Sequence, residues 1–198
     1  QLQASRARRV MFMFNTFESI DPLREAVGAP RFSFGFPGGV FTLLVDGKIA
    51  PTIRAGTTVD DPVFAKLFNE AGIPTVVEAD MQSWLRTHAA MVVPLMAIGA
   101  TVHTRGSGVS WKEAGAFASA FFGGMAIVRS MGNALLPSSI ATLAKLPRWV
   151  VTALLWALSR SKLLRDLGSL GAAEPRTLID MMTAASPSLA EPLRAIRP

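Results

Sequence analysis

The sequence contains no cysteine, which excludes disulfides, cysteine-ligated zinc and a cysteine nucleophile. It has two histidines, His88 and His103, too few for a histidine-rich metal site. Long charge-free runs are also missing. The longest lies between Arg86 and Arg105 and is interrupted by His88, Pro94 and His103; the runs from Ala114 to Val128 and from Ser130 to Ala144 are shorter. A spanning helix needs about 20 apolar residues, so buried helices of a bundle are expected instead of membrane spans. The first residues are basic (Arg6, Arg8, Arg9) but have no apolar stretch before a cleavage site. No secretory signal is expected, and the expected location is cytoplasmic.

Half of the 198 residues are hydrophobic and 17% are charged, the composition of a folded chain with room for one domain or two small ones. The net charge is +6, but lysine and arginine are scattered, with no basic stripe carrying stacking aromatics. A nucleic-acid partner is therefore not expected. The excess of positive charge suits an anionic substrate or a phosphorylated cofactor.

Two hydrophobic periods divide the chain. Up to Ala79 the pattern is that of short strands. Val10 to Phe14 is a continuous apolar run, expected to be a strand buried on both faces, as in a parallel sheet, with Asn15 after it. Asp21-Pro22 is expected to cap and open a short helix that Gly28 stops. Arg31 to Phe36 reads as the next strand, followed by a loop in which Gly35, Gly38 and Gly39 surround Pro37. Asp46-Gly47 between Val40–Val45 and Lys48–Ile53 is a hairpin signal. Asp60 and Asp61 precede a helix from Pro62 to near Gly72, expected to bury Phe64, Leu67 and Phe68, and Ile73 to Val77 is a last short strand.

Beyond Glu78 the period becomes helical. Trp84, Leu85, His88, Met91, Val92, Leu95 and Met96 share one face of a helix that contains Pro94. Further helices are expected over Trp111–Arg129, Ser138–Leu146, Pro147–Leu167 and from Pro175 through Met182, with a short segment from Ser186-Pro187. The expected division is thus an α/β portion over residues 1–79 and an all-helical domain over 80–198. The α/β portion alone is an incomplete sheet, since parallel strands need crossovers and cover on both faces. The missing strands are expected from residues preceding Gln1 or from a partner chain.

The order of these features resembles the ketopantoate reductase (2-dehydropantoate 2-reductase) family, in a divergent branch. Val10 to Asn15 is similar to the strand and asparagine that close the family's dinucleotide-binding domain. Phe34-Gly-Phe-Pro-Gly-Gly39 is similar to its glycine-containing strand and loop. Ala79-Asp-Met-Gln-Ser-Trp-Leu-Arg-Thr-His-Ala-Ala90, with Val93-Pro-Leu95 after it, is similar to the helix that opens its C-terminal domain. The resemblance implies the α/β tail of a Rossmann-like dinucleotide-binding domain followed by an all-α domain of the 6-phosphogluconate-dehydrogenase C-terminal type. It also implies NADPH-dependent reduction of a small 2-keto acid, as in pantothenate biosynthesis, and a possible homodimer.

Residue roles follow from the same comparison. The family uses a lysine two residues after the tryptophan to stabilise and protonate the developing alkoxide; here that position is Arg86. An arginine can stabilise an oxyanion but holds its proton tightly. The family's asparagine one turn later corresponds to Ala90, or to Ala89 in a shifted register. His88 is a candidate replacement acid, because an unperturbed imidazole titrates near neutrality. Asn15, at a strand end, is a candidate for orienting the substrate carbonyl or the cofactor's nicotinamide ribose. Asp180, then Glu174, are candidates for the family's late acid, and Ser159 or Ser161 for its substrate-binding serine. Each residue also has a structural reading, as a capping, core or solvated side chain, and Met181 and Met182 read as core.

One element of such an enzyme is absent. A Rossmann site needs Gly-x-Gly-x-x-Gly between a strand and its helix. Gly35-Phe-Pro-Gly38-Gly39 has the wrong spacing, and Gly106-Ser-Gly108 follows a helix. Three readings stand: part of a reductase, a non-catalytic helical interaction or dimerisation module derived from one, and a membrane-associated helical protein.

Overall fold

The computed structural model describes residues 2, 4–38, 40–45 and 48–198. Two compact units emerge: Gln1–Asn15 with Ser19–Gln82, and Thr16–Glu18 with Ser83–Pro198. The first is a small mixed sheet with two helices and the second is helical.

In the first unit, β1 (Val10–Met13), α1 (Asp21–Val27) and β2 (Phe32–Pro37) form a crossover, with β1 and β2 parallel and Val10 opposite Phe32. Gly28 ends α1 at φ +84°, its N–H donating to the Arg24 carbonyl. The N-cap of α1 is Ile20 and not Asp21; Asp21 lies in the first turn, where its charge favours the helix dipole. Next, β3 (Val40–Val45) and β4 (Lys48–Ile53) pair as an antiparallel hairpin. The Asp46-Gly47 turn that would join them lies outside the described residues, as does Gly39. The chain then enters β5 (Thr57–Val59), antiparallel to β2, and after α2 (Pro62–Glu70) reaches β6 (Thr75–Val77), parallel to β5. The sheet order is β1-β2-β5-β6.

Three expectations change here. The sheet is mixed and not parallel throughout, because the hairpin returns the chain beside β2 as β5, a strand too short to show a period in the sequence. β1 is not buried on both faces: among the described residues it is an edge strand, Met11 to Met13 are only partly buried and Phe14 is 44% exposed. Leu67 is exposed, because the inner face of α2 is set by Phe64, Ala65 and Phe68, and Leu67 falls on its flank.

Polar anchors hold this unit's ladder. Asp60 accepts hydrogen bonds at one carboxylate oxygen from the Ser33 hydroxyl (2.6 Å) and the Phe34 N–H (2.9 Å), extending the β2–β5 pairing. Asp61 caps α2 by accepting from the Val63 N–H and pairs with Arg9. Asn69 clips β6 to α2, donating to the Thr75 carbonyl and accepting from its N–H. Above β1 and β2 the rings of Phe12, Phe14, Phe32 and Phe34 form a cluster, with Phe14 and Phe34 edge to face at 5.1 Å.

The second unit follows from α3 (Met81–Arg105) and contains α4 (Trp111–Ser130), α5 (Ser138–Leu143), α6 (Arg148–Leu158), α7 (Lys162–Gly168), α8 (Ala173–Ala185) and α9 (Glu191–Arg194). The most buried stripe of α3 is Leu85, Ala89, Val93 and Ala97, at i, i+4 spacing; the Met91, Val92 and Leu95 stripe is only partly buried. Small residues lie at the closest contacts of α3: Ala90 against Gly124 of α4 and Gly99 against Gly168 of α7. The expected helix over Pro147–Leu167 is broken into α6 and α7. Ser159 is fully buried and its hydroxyl accepts from the Val109 N–H, while Ser161 caps α7. At α4, Ser110 and Glu113 close a capping box, and Arg105 grips Glu113 through two nitrogens. Those hydrogen bonds, Arg105's foremost, hold the Glu113 carboxyl down at about 2.

A Cβ on Gly168 would overlap the Gly99 carbonyl and come within 2.6 Å of His103 Cβ, whereas one on Gly115 would meet nothing closer than 4.0 Å. Gly168→Ala is therefore expected to lower stability by about 1–3 kcal/mol through overpacking. Gly115→Ala, in a helix interior, is expected to raise it by about 0.5–1 kcal/mol. Urea unfolding measures both, and a Gly168→Ala protein as stable as its parent would mean that the approach of α3 and α7 has slack.

Candidate functional site

The densest polar cluster in the helical unit runs along the first turns of α3. Ser83, Arg86 and Thr87 lie at i, i+3 and i+4, so they share one side of the helix. The Arg86 guanidinium donates from Nε to the Phe17 carbonyl (3.1 Å) and from a terminal nitrogen to Asn133 Oδ1 (2.6 Å). Its centre also lies 5.8 Å from the centre of the Phe17 ring. Asn133 in turn donates to the Ser83 hydroxyl (3.0 Å). The Thr87 hydroxyl is fully buried, donates to the Ser83 carbonyl and accepts from the Leu136 N–H. The loop after α4 is thereby stitched to α3. These contacts hold the Arg86 guanidinium in one orientation. The result is a fixed, partly buried cation, the type of group that binds a carboxylate or stabilises a developing oxyanion.

His88 projects from another face of α3, stacked on Trp84 with ring centres 4.9 Å apart and planes 7° from parallel. Burial pushes its pKa down from the ordinary 6.5 to about 4. At neutral pH the ring carries no charge. The near-neutral titration that suggested an acid belongs to an exposed imidazole, not to this one. Ala90 packs against α4: a Cβ on Gly124 would lie 3.0 Å from Ala90 Cβ and 3.3 Å from its carbonyl oxygen.

The other candidates are dispersed. Asn15 lies two residues beyond the carboxyl end of β1, in the sheet unit. Asp180 is exposed on α8 and pairs with Arg197 through both carboxylate oxygens (2.9 and 3.2 Å). Glu174 is exposed in the first turn of α8. Ser159 and Ser161 serve the α6–α7 break. Met182 is fully buried and Met181 partly so. Asn133, Ser83 and Thr87 were not singled out from the sequence. The available signal was Asn133 directly after Gly132, which ends α4 at φ +76°, in an otherwise apolar stretch.

The described glycines of the two glycine-containing segments are occupied by the chain itself. Gly35 makes room for Val59 and the Thr58 carbonyl, and Gly38 for the Gly56 carbonyl. Gly106 ends α3 at φ +74°, and Gly108 lies against Ser159 and Arg160. These glycines admit parts of the chain itself. No family model matches the chain, and neither the curated proteins nor the solved structures contain a match. No group of three or more acidic or histidine side chains that could hold a metal occurs among the described residues.

The lowered pKa of His88 has a consequence for stability. The unfolded chain takes up a proton near pH 6.5 that the folded chain refuses until about pH 4. Stability therefore falls as the pH drops through 6.5, and this loss levels off below the folded value. For a partly buried ring its size is on the order of 2–3 kcal/mol. His88→Gln is expected to flatten the pH dependence between 4 and 7, read as urea midpoints at both ends; an unchanged slope would assign it to other groups.

Proposed function

We propose that this chain is the substrate-side part of an oxidoreductase similar to the ketopantoate reductases, reducing the ketone of a small 2-keto acid with NADPH. The observation that carries the reading is the parallel β1–α1–β2 crossover with Asn15 just beyond the carboxyl end of β1. In open α/β sheets ligands lie beyond that end of the strands. On this reading the sheet unit is the tail of a Rossmann-like domain. Among the described residues neither β1 nor β6 has a strand on its outer side, which leaves edges for a sheet to continue. The all-helical unit beginning near Ser83 takes the place of the family's C-terminal domain.

The roles of this chain's residues are binding and orientation. Arg86, held by Phe17 and Asn133, is the cation for the substrate carboxylate or for the oxygen that gains charge. Asn15 orients a carbonyl or hydroxyl. NADPH supplies the hydride when bound, and recognition of its pyrophosphate falls to residues other than the glycines described above. A cytoplasmic location and a homodimer go with this reading.

A second reading has its own support. Arg86 is engaged with Phe17 and Asn133, His88 is uncharged at neutral pH, and Ala90 replaces an asparagine with a packing residue. Those features suit a non-catalytic helical module built on the same framework.

The test is NADPH binding and turnover of a panel of 2-keto acids by the polypeptide isolated from its natural source. The reductase reading expects both, with Arg86→Ala lowering kcat/KM by about 100–1000-fold, as for loss of an oxyanion-stabilising donor. Absence of both binding and turnover would sink it. Turnover untouched by Arg86→Ala would remove Arg86 from the chemistry.

A further inference from the structure

Beyond Arg148, the helix α6 has a solvent side made only of apolar residues. Val151, Thr152 and Leu155 face the core. The opposite side carries Trp149, Val150, Ala153, Leu154, Trp156 and Ala157, with no polar side chain among them. Trp149 is 67% exposed, Leu154 50% and Trp156 37%. Helices at a protein–water boundary normally turn a polar face outward, and isolated exposed leucines need no explanation. A continuous apolar face does. Trp111 of α4, itself 52% exposed, extends it: its ring meets Trp156 edge to face at 6.4 Å. Between Trp111 and Trp149 lies an open cleft of about 480 Å³, with Lys112, Gly115, Arg148 and Thr152 completing its wall.

The rim of this face has one sign of charge. Lys112 and Arg148 line the cleft, Lys145 is exposed three residues before Arg148, and the Arg160 guanidinium lies 3.7 Å from the centre of the Trp156 ring. No aspartate or glutamate occurs between Glu113 and Asp166, a stretch that contains Arg129, Lys145, Arg148, Arg160, Lys162 and Arg165. The two bounding acids are each paired, Glu113 with Arg105 and Asp166 with Lys162.

We propose that the exposed face of α6, with Trp111 beside it, docks in the plane of an anionic lipid bilayer surface. The charge pattern selects this occupant. A second copy seated on the same face would bring like charges together. A single-stranded nucleic acid would stack on the indoles but leave Leu154 and the alanines without a partner. A bilayer surface accommodates every part: indoles at the headgroup level, aliphatic side chains at the acyl boundary and cations against lipid phosphates. The helix has 11 residues, about 16 Å, which cannot cross a hydrocarbon layer of about 30 Å. It therefore lies along the surface. This inference stands apart from the oxidoreductase reading, since neither Arg86 nor Asn15 takes part.

The test is co-sedimentation of the whole chain with vesicles of phosphatidylcholine alone or with about one-third phosphatidylglycerol, together with tryptophan emission. The expected result is binding to the anionic vesicles only, with a blue shift, weakened by salt. The Trp149→Ser, Trp156→Ser double variant is expected to lose about tenfold or more in partitioning. Lys112→Glu with Lys145→Glu, which leaves the apolar face intact, is expected to lose about 25-fold or more, at about fivefold per cation removed. The proposal is overturned if the chain ignores anionic vesicles or if both variants bind like the parent. It is equally overturned if the tryptophan variant turns a stable dimer into a monomer while vesicles remain unbound, or if a single-stranded oligonucleotide is bound in preference to vesicles.

Discussion

In the helical unit, α3 meets its neighbours at points where nothing larger than a methyl group separates the backbones. Gly124 of α4 lies against Ala90, and Gly168 of α7 lies against Gly99. Each contact leaves no space for another methyl group, and overpacking such a point costs about 1–3 kcal/mol. This constraint orders the rest of the unit. Small residues, Ala90 and Gly99, occupy these points of α3, while Met91, Val92 and Leu95 lie on its partly buried flank. The constraint also gives Ala90 a physical role. A longer side chain at that position would press on α4, so the identity of residue 90 is tied to Gly124 and not only to chemistry.

With α3 seated, its first turns become available for polar contacts. Ser83, Arg86 and Thr87 bind a loop nearly fifty residues away and the carbonyl of Phe17. The Phe17 carbonyl and the Asn133 amide are among the groups that orient the cation. A guanidinium held in one orientation presents its donors in a fixed fork. His88, one face away, shows the opposite effect of burial: its ring is kept neutral, which suits stacking on Trp84 and not proton donation.

The sheet unit is organised by acids. Asp60 and Asp61 are adjacent but serve different elements, one the β2–β5 ladder and the other the start of α2. The two units therefore differ in character: one ordered by carboxylates at strand and helix ends, the other by small residues at helix contacts. The cationic, indole-bearing surface of α6 belongs to the second. Its interior-like composition on a solvent side is the basis of the docking surface proposed for it.

Much of the framework was legible because its signals act within a few residues. Asp61-Pro62 opens α2, Gly28 and Gly72 end helices at positive φ, and the change of period after Glu78 marks where strands stop. These are local backbone constraints, and the sequence by itself determined them. What it did not reveal depends on partners distant in the chain. β5 is a strand only because β2 lies beside it, and Leu67 is exposed only because α2 turns another face inward. Asn133 joins Arg86 only once α4 has brought its end back to α3. The pKa of His88 and the bare outer face of α6 are likewise properties of burial. Burial is set by which surfaces pack together, and no local pattern encodes that. The tertiary structure alone decided them.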